Sequence, residues 1–350
     1  MKKLLGCLFI LLLFGVASAV YAWHQLEQIR YAPFSQAEQD NPYYFTITRG
    51  TNSQQLAQQF HQAGLISQPY WLPILLRLNP EYAQIKAGTY EISAVKNLHD
   101  LLLLFNSGKE AQLAIRFTDG ETFKQLQQHL ANAPYLNNQL SEKSIDEIMQ
   151  LLAIPSYAKN AYQWQSLEGW IYPDTYHYTP YSSDLDLLKR ASTRTIKLLD
   201  QAWQQRDKDL PLANPYELLI LASIIEKETA IDSERGKVAS VFVNRLKRNM
   251  RLQTDPTVIY GMGDAYQGNI RRKDLQQATP YNTYVIDGLP PTPIAMPSEK
   301  SIMAAANPDK TDFLYFVADG SGGHKFSKTL GEHNRAVQQY LRWYRENYQK

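Results

Sequence analysis

The sequence predicts an α+β protein in three parts: an N-terminal transmembrane helix, a small β-α-α-β domain and a larger mixed α+β domain. Three patterns predict it. An uncharged run from Leu4 to Trp23 follows Lys2-Lys3, and about 20 such residues at roughly 1.5 Å each cross a hydrocarbon core of about 30 Å. Short strand-like and helix-like runs alternate between Tyr43 and Leu130, the periods being two and 3.6 residues. Helical patterns then dominate from about Ser183 to Leu246, before loops and a Gly-rich hairpin. The expected boundaries are 1–23 for a cytoplasmic N-terminus and transmembrane helix, 24–42 for a linker, 43–110 for the small domain, 111–200 for a connecting α/β region and 201–350 for the last domain.

Taken in order, Lys2 and Lys3 hold the short N-terminal end in the cytoplasm, and Tyr21 and Trp23 suit the opposite interface, so the rest of the chain is expected outside the inner membrane. Ala17-Ser18-Ala19 has the small-residue pattern of a cleavage site, so a removed signal peptide is the competing reading. Either way the chain is exported. Leu4-Leu5-Gly6-Cys7 superficially reads as a lipoprotein site, but the apolar stretch before it is too short for a signal peptide. Cys7 is the only cysteine, which excludes disulfides within the chain. The stretch to residue 42 is polar, contains Pro33 and Pro42, and reads as a stalk.

Tyr43 to Thr48 reads as a strand, Arg49-Gly50-Thr51-Asn52 as a turn and N-cap, and Ser53 to Ala63 as a helix burying Leu56, Ala57 and Phe60. Trp71 to Leu78 is a second helix, and Gly88 to Ile92 a strand. Leu98, Leu101, Leu102 and Phe105 repeat at helical spacing, with Gly108 as cap. Gln112 to Phe117 leads through Asp119-Gly120 into a helix with Leu126 and Leu130. Gly50, Gln55, Leu56 and Gln58 recur as Gly120, Gln125, Leu126 and Gln128, a strand-turn-helix device used twice. Residues 134–165 are expected to be helical and polar. In Leu167-Glu-Gly-Trp-Ile-Tyr-Pro-Asp-Thr-Tyr176 the Pro-Asp turn either brings Trp170, Tyr172 and Tyr176 to a cleft or makes an aromatic hinge, and Glu168 is a candidate carboxylate. Near the end, Phe313 to Ala318 and His324 to Ser327 are strands around the turn Asp319 to Gly323, and a last helix buries Val337, Leu341 and Tyr344.

Composition narrows the function. With 36 basic and 34 acidic residues the net charge is +2, and no basic tract tracks a phosphate backbone, so nucleic acid is not an expected partner. The 7 histidines show no metal-ligand spacing, so neither a metal nor a cofactor is expected. Gly320-Ser-Gly-Gly-His324 lacks the nucleophile-elbow pattern of a serine hydrolase. The 23 tyrosines and 6 tryptophans suit sugar stacking, although aromatic residues also build cores.

Leu218 to Ile231, LLILASIIEKETAI, is apolar on nearly every side until Glu226-Lys227-Glu228. A carboxylate at the end of a buried helix has to be paired, neutralised or set in a cleft. At roughly 100° per residue, Glu226 and Glu228 lie on opposite flanks of the face carrying Leu218, Leu221, Ala222, Ile225 and Thr229. Periodicity does not choose between them.

SIIEKETA, Lys237-Val-Ala-Ser-Val-Phe-Val-Asn-Arg-Leu246, Arg251-Leu-Gln-Thr-Asp-Pro-Thr-Val-Ile-Tyr-Gly261, Tyr281-Asn-Thr-Tyr284 and Gly288-Leu-Pro-Pro291 resemble the endolytic murein transglycosylase (YceG-like) family in order and spacing. The resemblance implies a peptidoglycan lyase anchored in the inner membrane, with a LysM-like domain at 43–110 and a catalytic domain at 201–350. It implies cleavage of the MurNAc-GlcNAc β-1,4 bond inside nascent strands, leaving 1,6-anhydro ends and terminating polymerisation, with cell-wall synthases (penicillin-binding proteins) as partners. Glu226 matches the catalytic glutamate, acid and then base, in a collar of Leu219, Ala222, Ser223 and Ile225. Gln253, Thr254, Asp255, Tyr281, Asn282 and Tyr284 are the candidate substrate-binding residues, Asp255 and Asn282 being equally suited to a helix cap and a turn brace. A non-catalytic envelope scaffold that holds glycan and synthases is the alternative.

Overall fold

The computed structural model describes residues 2–34, 42–158 and 166–348, and the chain divides after Leu113 into two compact units. The first begins with α1 (Lys2–Tyr31). Leu5 to Tyr31 is long and apolar enough to cross a membrane, and its Leu, Phe and Ile side chains are bare up to Val20. The helix runs eight residues past the expected limit, so 24–31 is helix and not stalk. The reason is packing: Leu26 is 7% exposed within the core of this unit, and Ile29 and Phe34 lie against it. Arg30 adds a hydrogen bond to the Tyr82 hydroxyl and lies 5.0 Å over its ring. The expected linker residues 35–41 are outside the described residues.

Beyond it the β-α-α-β order holds, with β1 (Tyr44–Ile47), α2 (Ser53–Gln62), α3 (Trp71–Leu78) and β2 (Gly88–Glu91). The strands are antiparallel, Tyr44 opposite Glu91 and Ile47 opposite Gly88. Leu56, Ala57 and Phe60 of α2 and Leu72, Leu75 and Leu76 of α3 are buried, and α4 (Leu98–Ser107) adds Leu98, Leu101, Leu102 and Phe105. Each large side chain removed from water contributes roughly 1.5–3 kcal/mol. Gly108 ends α4 at φ +70°, a left-handed conformation open to glycine at little cost.

The second unit is mostly helical. β3 (Leu113–Arg116) pairs with β4 (Thr175–Tyr178), and α5 (Phe123–Ala131) follows β3. The recurrence seventy residues apart has a physical cause. Asn52 with Gln55, and Thr122 with Gln125, each form a reciprocal capping box at a helix start. The polar stretch after α5 departs from expectation: it forms only the short α6 (Ile145–Leu151) and one 3-10 turn, and 159–165 lies outside the described residues.

Then come α7 (Asp184–Gln205), α8 (Pro215–Glu228) and α9 (Asp232–Lys247). Asn214 caps α8 by accepting from the Glu217 amide, and Pro215 occupies its first turn. Every residue from Leu218 to Ile225 is buried, because α7, α9, α10 (Asp255–Met262) and α11 (Glu299–Ala306) all pack on α8. Trp170 is fully buried and stacks on Tyr216, with ring centres 5.8 Å apart, and the Tyr176 hydroxyl donates to the Tyr172 carbonyl. The aromatic segment is thus packing in this unit. The hairpin of β5 (Tyr315–Ala318) and β6 (His324–Ser327) pairs antiparallel, and α12 (Leu330–Tyr348) lies against it. On α12 the expectation was wrong: Ala336 is its buried residue, Val337 is half-buried, and Leu341 and Tyr344 are exposed.

Candidate active site

The end of α8 carries its two glutamates into different surroundings, as the 200° between them requires. Glu226 faces α9 and the start of α11. Its Oε2 accepts from the Ser298 amide at 2.9 Å and hydroxyl at 2.5 Å and lies 3.2 Å from Nη1 of Arg235. Arg235 is buried and also meets Ser301 and Asp232. Its side chain and that of Glu226 are only 9% and 6% exposed, so this is a buried ion pair joining three helices.

Glu228 opens onto a cavity of about 430 Å³ lined by Gln253, Asp255, Tyr284, Arg245, Tyr315 and Phe316. The Thr254 hydroxyl donates to its Oε1. Burial pushes its carboxyl up to about 7, the Thr254 hydrogen bond opposing and the charge of Asp255 adding to the rise. A carboxyl poised near neutrality at the edge of a cavity can both give and take a proton.

The loops around Glu228 are tied together. Gln253 donates its amide to the Thr283 carbonyl at 3.1 Å, and the Thr254 amide donates to the Thr283 hydroxyl at 3.0 Å. Gln253 holds φ +52°, a left-handed conformation that is uncommon outside glycine and clusters at functional sites. Asn282 is fully buried and gives its side-chain amide to the carbonyls of Asp274, Leu275 and Gln277, while its Oδ1 takes the Tyr284 amide. It is the turn brace. The Tyr284 hydroxyl donates to Asp255 Oδ1 at 2.6 Å. Asp255 does not cap α10, whose N-cap is Thr254 without a side-chain bond.

Of the six expected binding residues, Gln253, Asp255 and Tyr284 line the cavity, Thr254 holds Glu228, and Asn282 supports from behind. Tyr281 lies elsewhere, bonded to Thr292 at 2.8 Å and edge-on to Tyr260. Near it Glu168, 3% exposed, accepts from the Phe123 amide at the start of α5 (2.6 Å) and from the Tyr260 hydroxyl (2.9 Å). Burial raises its carboxyl to about 7, against both hydrogen bonds. With both oxygens occupied, Glu168 is a brace between α5 and α10.

Arg245 and His333 were invisible as site residues from the sequence. Arg245 reaches the carbonyls of Leu314, Arg251 and Leu252 and the side chain of Gln253, with its guanidinium 5.0 Å over Tyr315. It ties α9 to both walls of the cavity. His333 stacks on Tyr315 at 5.1 Å, and burial lowers its basicity. Neither follows a spacing rule, since each depends on which loop returns to α9. Among the described residues no three His, Cys, Asp or Glu side chains gather as a metal site would need.

A model described as the YceG-like family matches residues 45–339. The chain belongs to that family. The endolytic murein transglycosylase of Bacillus subtilis is 36% identical over 266 residues, 73% of this chain and 73% of that protein. The Streptococcus pneumoniae serotype 2 protein of the same name is 28% identical over 332 residues, 84% of this chain and 58% of its own length. A crystal structure of a yceG-like protein from Listeria monocytogenes matches with TM-score 0.51 and 28% identity, over 83% of this chain and 97% of that one. The YceG-like match spans both units, and the cavity beside Glu228 lies inside it.

Proposed function

We propose that this protein is a membrane-anchored lytic murein transglycosylase that cuts the MurNAc-GlcNAc β-1,4 bond inside glycan strands, with Glu228 as its acid and base. The observation that carries this reading is a carboxyl raised to about 7 beside a cavity of about 430 Å³ with aromatic, amide and carboxylate walls, in a chain whose relatives are named endolytic murein transglycosylases. Family resemblance pointed to Glu226. The geometry favours its neighbour, because Glu226 is held by Arg235 and Ser298.

In this reading the glycan crosses the cavity with the scissile oxygen near Glu228. The carboxyl protonates the departing O4 while the sugar's own 2-acetamido oxygen attacks C1. The resulting carboxylate then removes the C6 hydroxyl proton. The C6 oxygen closes on C1, regenerating the acetamide and leaving a 1,6-anhydro end. No water is consumed. Tyr284, Tyr315 and Gln253 supply ring faces and an amide for sugar recognition. The apolar run of α1 that follows Lys2 and Lys3 anchors the enzyme, with the chain beyond α1 outside the inner membrane. Cutting nascent strands there would end their polymerisation beside the synthases that make them.

The test is digestion of uncrosslinked glycan by the full chain in detergent, in oxygen-18 water, read by mass spectrometry. Unlabelled 1,6-anhydromuramoyl ends at newly cut internal bonds support the proposal. Labelled reducing ends would make the protein a hydrolase, and no cleavage would favour the scaffold.

A further inference from the structure

We infer that Asp255 is the second functional carboxylate of the cavity: it accepts the N–H of the 2-acetamido group on the sugar being cleaved and aims the acetamido oxygen at C1. This rests on the lyase reading above and adds to it a residue that handles the charge developing away from the scissile oxygen.

Four observations place Asp255 there. It is the chain neighbour of Thr254, whose hydroxyl holds Glu228, and both carboxyl groups line the same cavity. Its Oδ1 is fixed by the Tyr284 hydroxyl at 2.6 Å, and among the described residues no donor meets its Oδ2. Tyr284 is itself positioned by Asn282, whose amide is spent on three backbone carbonyls. The carboxylate is therefore oriented before substrate arrives, as electrostatic catalysis requires. Finally, Asp255 is exposed and does not cap its helix, so beyond its place in the first turn of α10 and its bond to Tyr284 the second carboxylate oxygen is left open to the cavity. The rise that its charge causes at Glu228 agrees with this closeness.

The chemistry balances without another reactant. The C1–O4 bond breaks as O4 takes the Glu228 proton and the acetamido oxygen forms a bond to C1. The nitrogen becomes positive and keeps its proton, which Asp255 holds by a charged hydrogen bond. When the C6 oxygen attacks C1, the C1–acetamido bond breaks, the C6 proton goes to Glu228, and the nitrogen is neutral again.

The test uses the full chain in detergent and N-acetylated glycan strands. Asp255→Asn should lower kcat by about tenfold to a hundredfold, the worth of a charged hydrogen bond, with KM changed by less than about threefold and Tm unchanged. Tyr284→Phe should lower kcat in the same direction by a smaller factor, which guards against a folding defect in the first variant. On strands whose muramoyl sugars are de-N-acetylated, wild type should slow to a basal rate and Asp255→Asn should be no slower. Full kcat in Asp255→Asn, a loss confined to KM, or losses that multiply on the de-N-acetylated strand would each overturn the inference. Absence of anhydro ends with wild type would instead refute the lyase reading beneath it.

Discussion

Replacing Glu168 by glutamine should remove much of the decline in stability that the folded protein suffers as pH rises. Glu168 is 3% exposed, and burial lifts its carboxyl from 4.5 to about 7. A carboxyl with a raised folded pKa binds its proton more tightly folded than unfolded, so stability is full below about pH 4.5 and falls until about pH 7. At about 1.4 kcal/mol per pH unit, the gap costs about 3 kcal/mol above neutrality. The amide of glutamine has no such titration. Its Oε1 can accept the Phe123 amide and its Nε2 can donate to the Tyr260 oxygen, but it adds a second buried amide hydrogen that the acid lacks, a loss of about 1–2 kcal/mol at every pH. The variant should therefore be less stable than wild type at pH 4 by about 1–2 kcal/mol and more stable at pH 8 by about 1–2 kcal/mol. Glu228, also raised to about 7, titrates in both proteins and cancels. Urea unfolding of the second unit at these two pH values, followed by tryptophan fluorescence, measures the crossing. Parallel pH dependence in the two proteins would show that Glu168 is not held protonated by burial.

Three other outcomes follow from the geometry. Activity should fall above about pH 7 with unit slope, since Glu228 must carry its proton to act as acid, and a plateau to pH 9 in the kcat profile would contradict that role. Arg30→Ala should weaken the first unit by about 1–2 kcal/mol through loss of the bond to Tyr82 and the stacking on its ring, seen as faster hydrogen exchange in α2 to α4. Gly320→Ala should destabilise the hairpin by about 1–3 kcal/mol, because φ is +90° there and a Cβ would collide with the Trp343 ring; an unchanged Tm would refute the packing.

The elements of both units were legible where local signals agreed with the burial pattern. Asn52, Ser53, Leu56 and Phe60 mark a cap and an apolar stripe, and α2 starts and buries as they indicate. Failures came where tertiary packing decided. Residues 24–31 look polar, yet Leu26 and Arg30 find partners on Tyr82 and α4, so the helix persists. Leu341 and Tyr344 share the helical stripe of α12, but the hairpin is too short to cover them. For the site, the sequence narrowed the acid to two glutamates and marked five of the surrounding loop residues. Periodicity left Glu226 and Glu228 open and the family resemblance chose Glu226; the different surroundings of the two, Arg235 and Ser298 on one flank and Thr254 and Asp255 on the other, were not legible because those partners lie up to 72 residues away in the chain.

The most direct test of the account compares Glu228→Gln with Glu226→Gln on uncrosslinked glycan, counting 1,6-anhydromuramoyl ends per minute at a temperature where both variants are folded. Glu228→Gln should lose at least about a hundredfold with Tm held or raised, since only a proton donor is removed. Glu226→Gln should lower stability by about 3 kcal/mol through the broken pair with Arg235, yet cleave within about tenfold of wild type, the worth of about 1.4 kcal/mol at the barrier. The opposite ranking, with Glu228→Gln active and Glu226→Gln dead while folded, would contradict the assignment of the acid to Glu228.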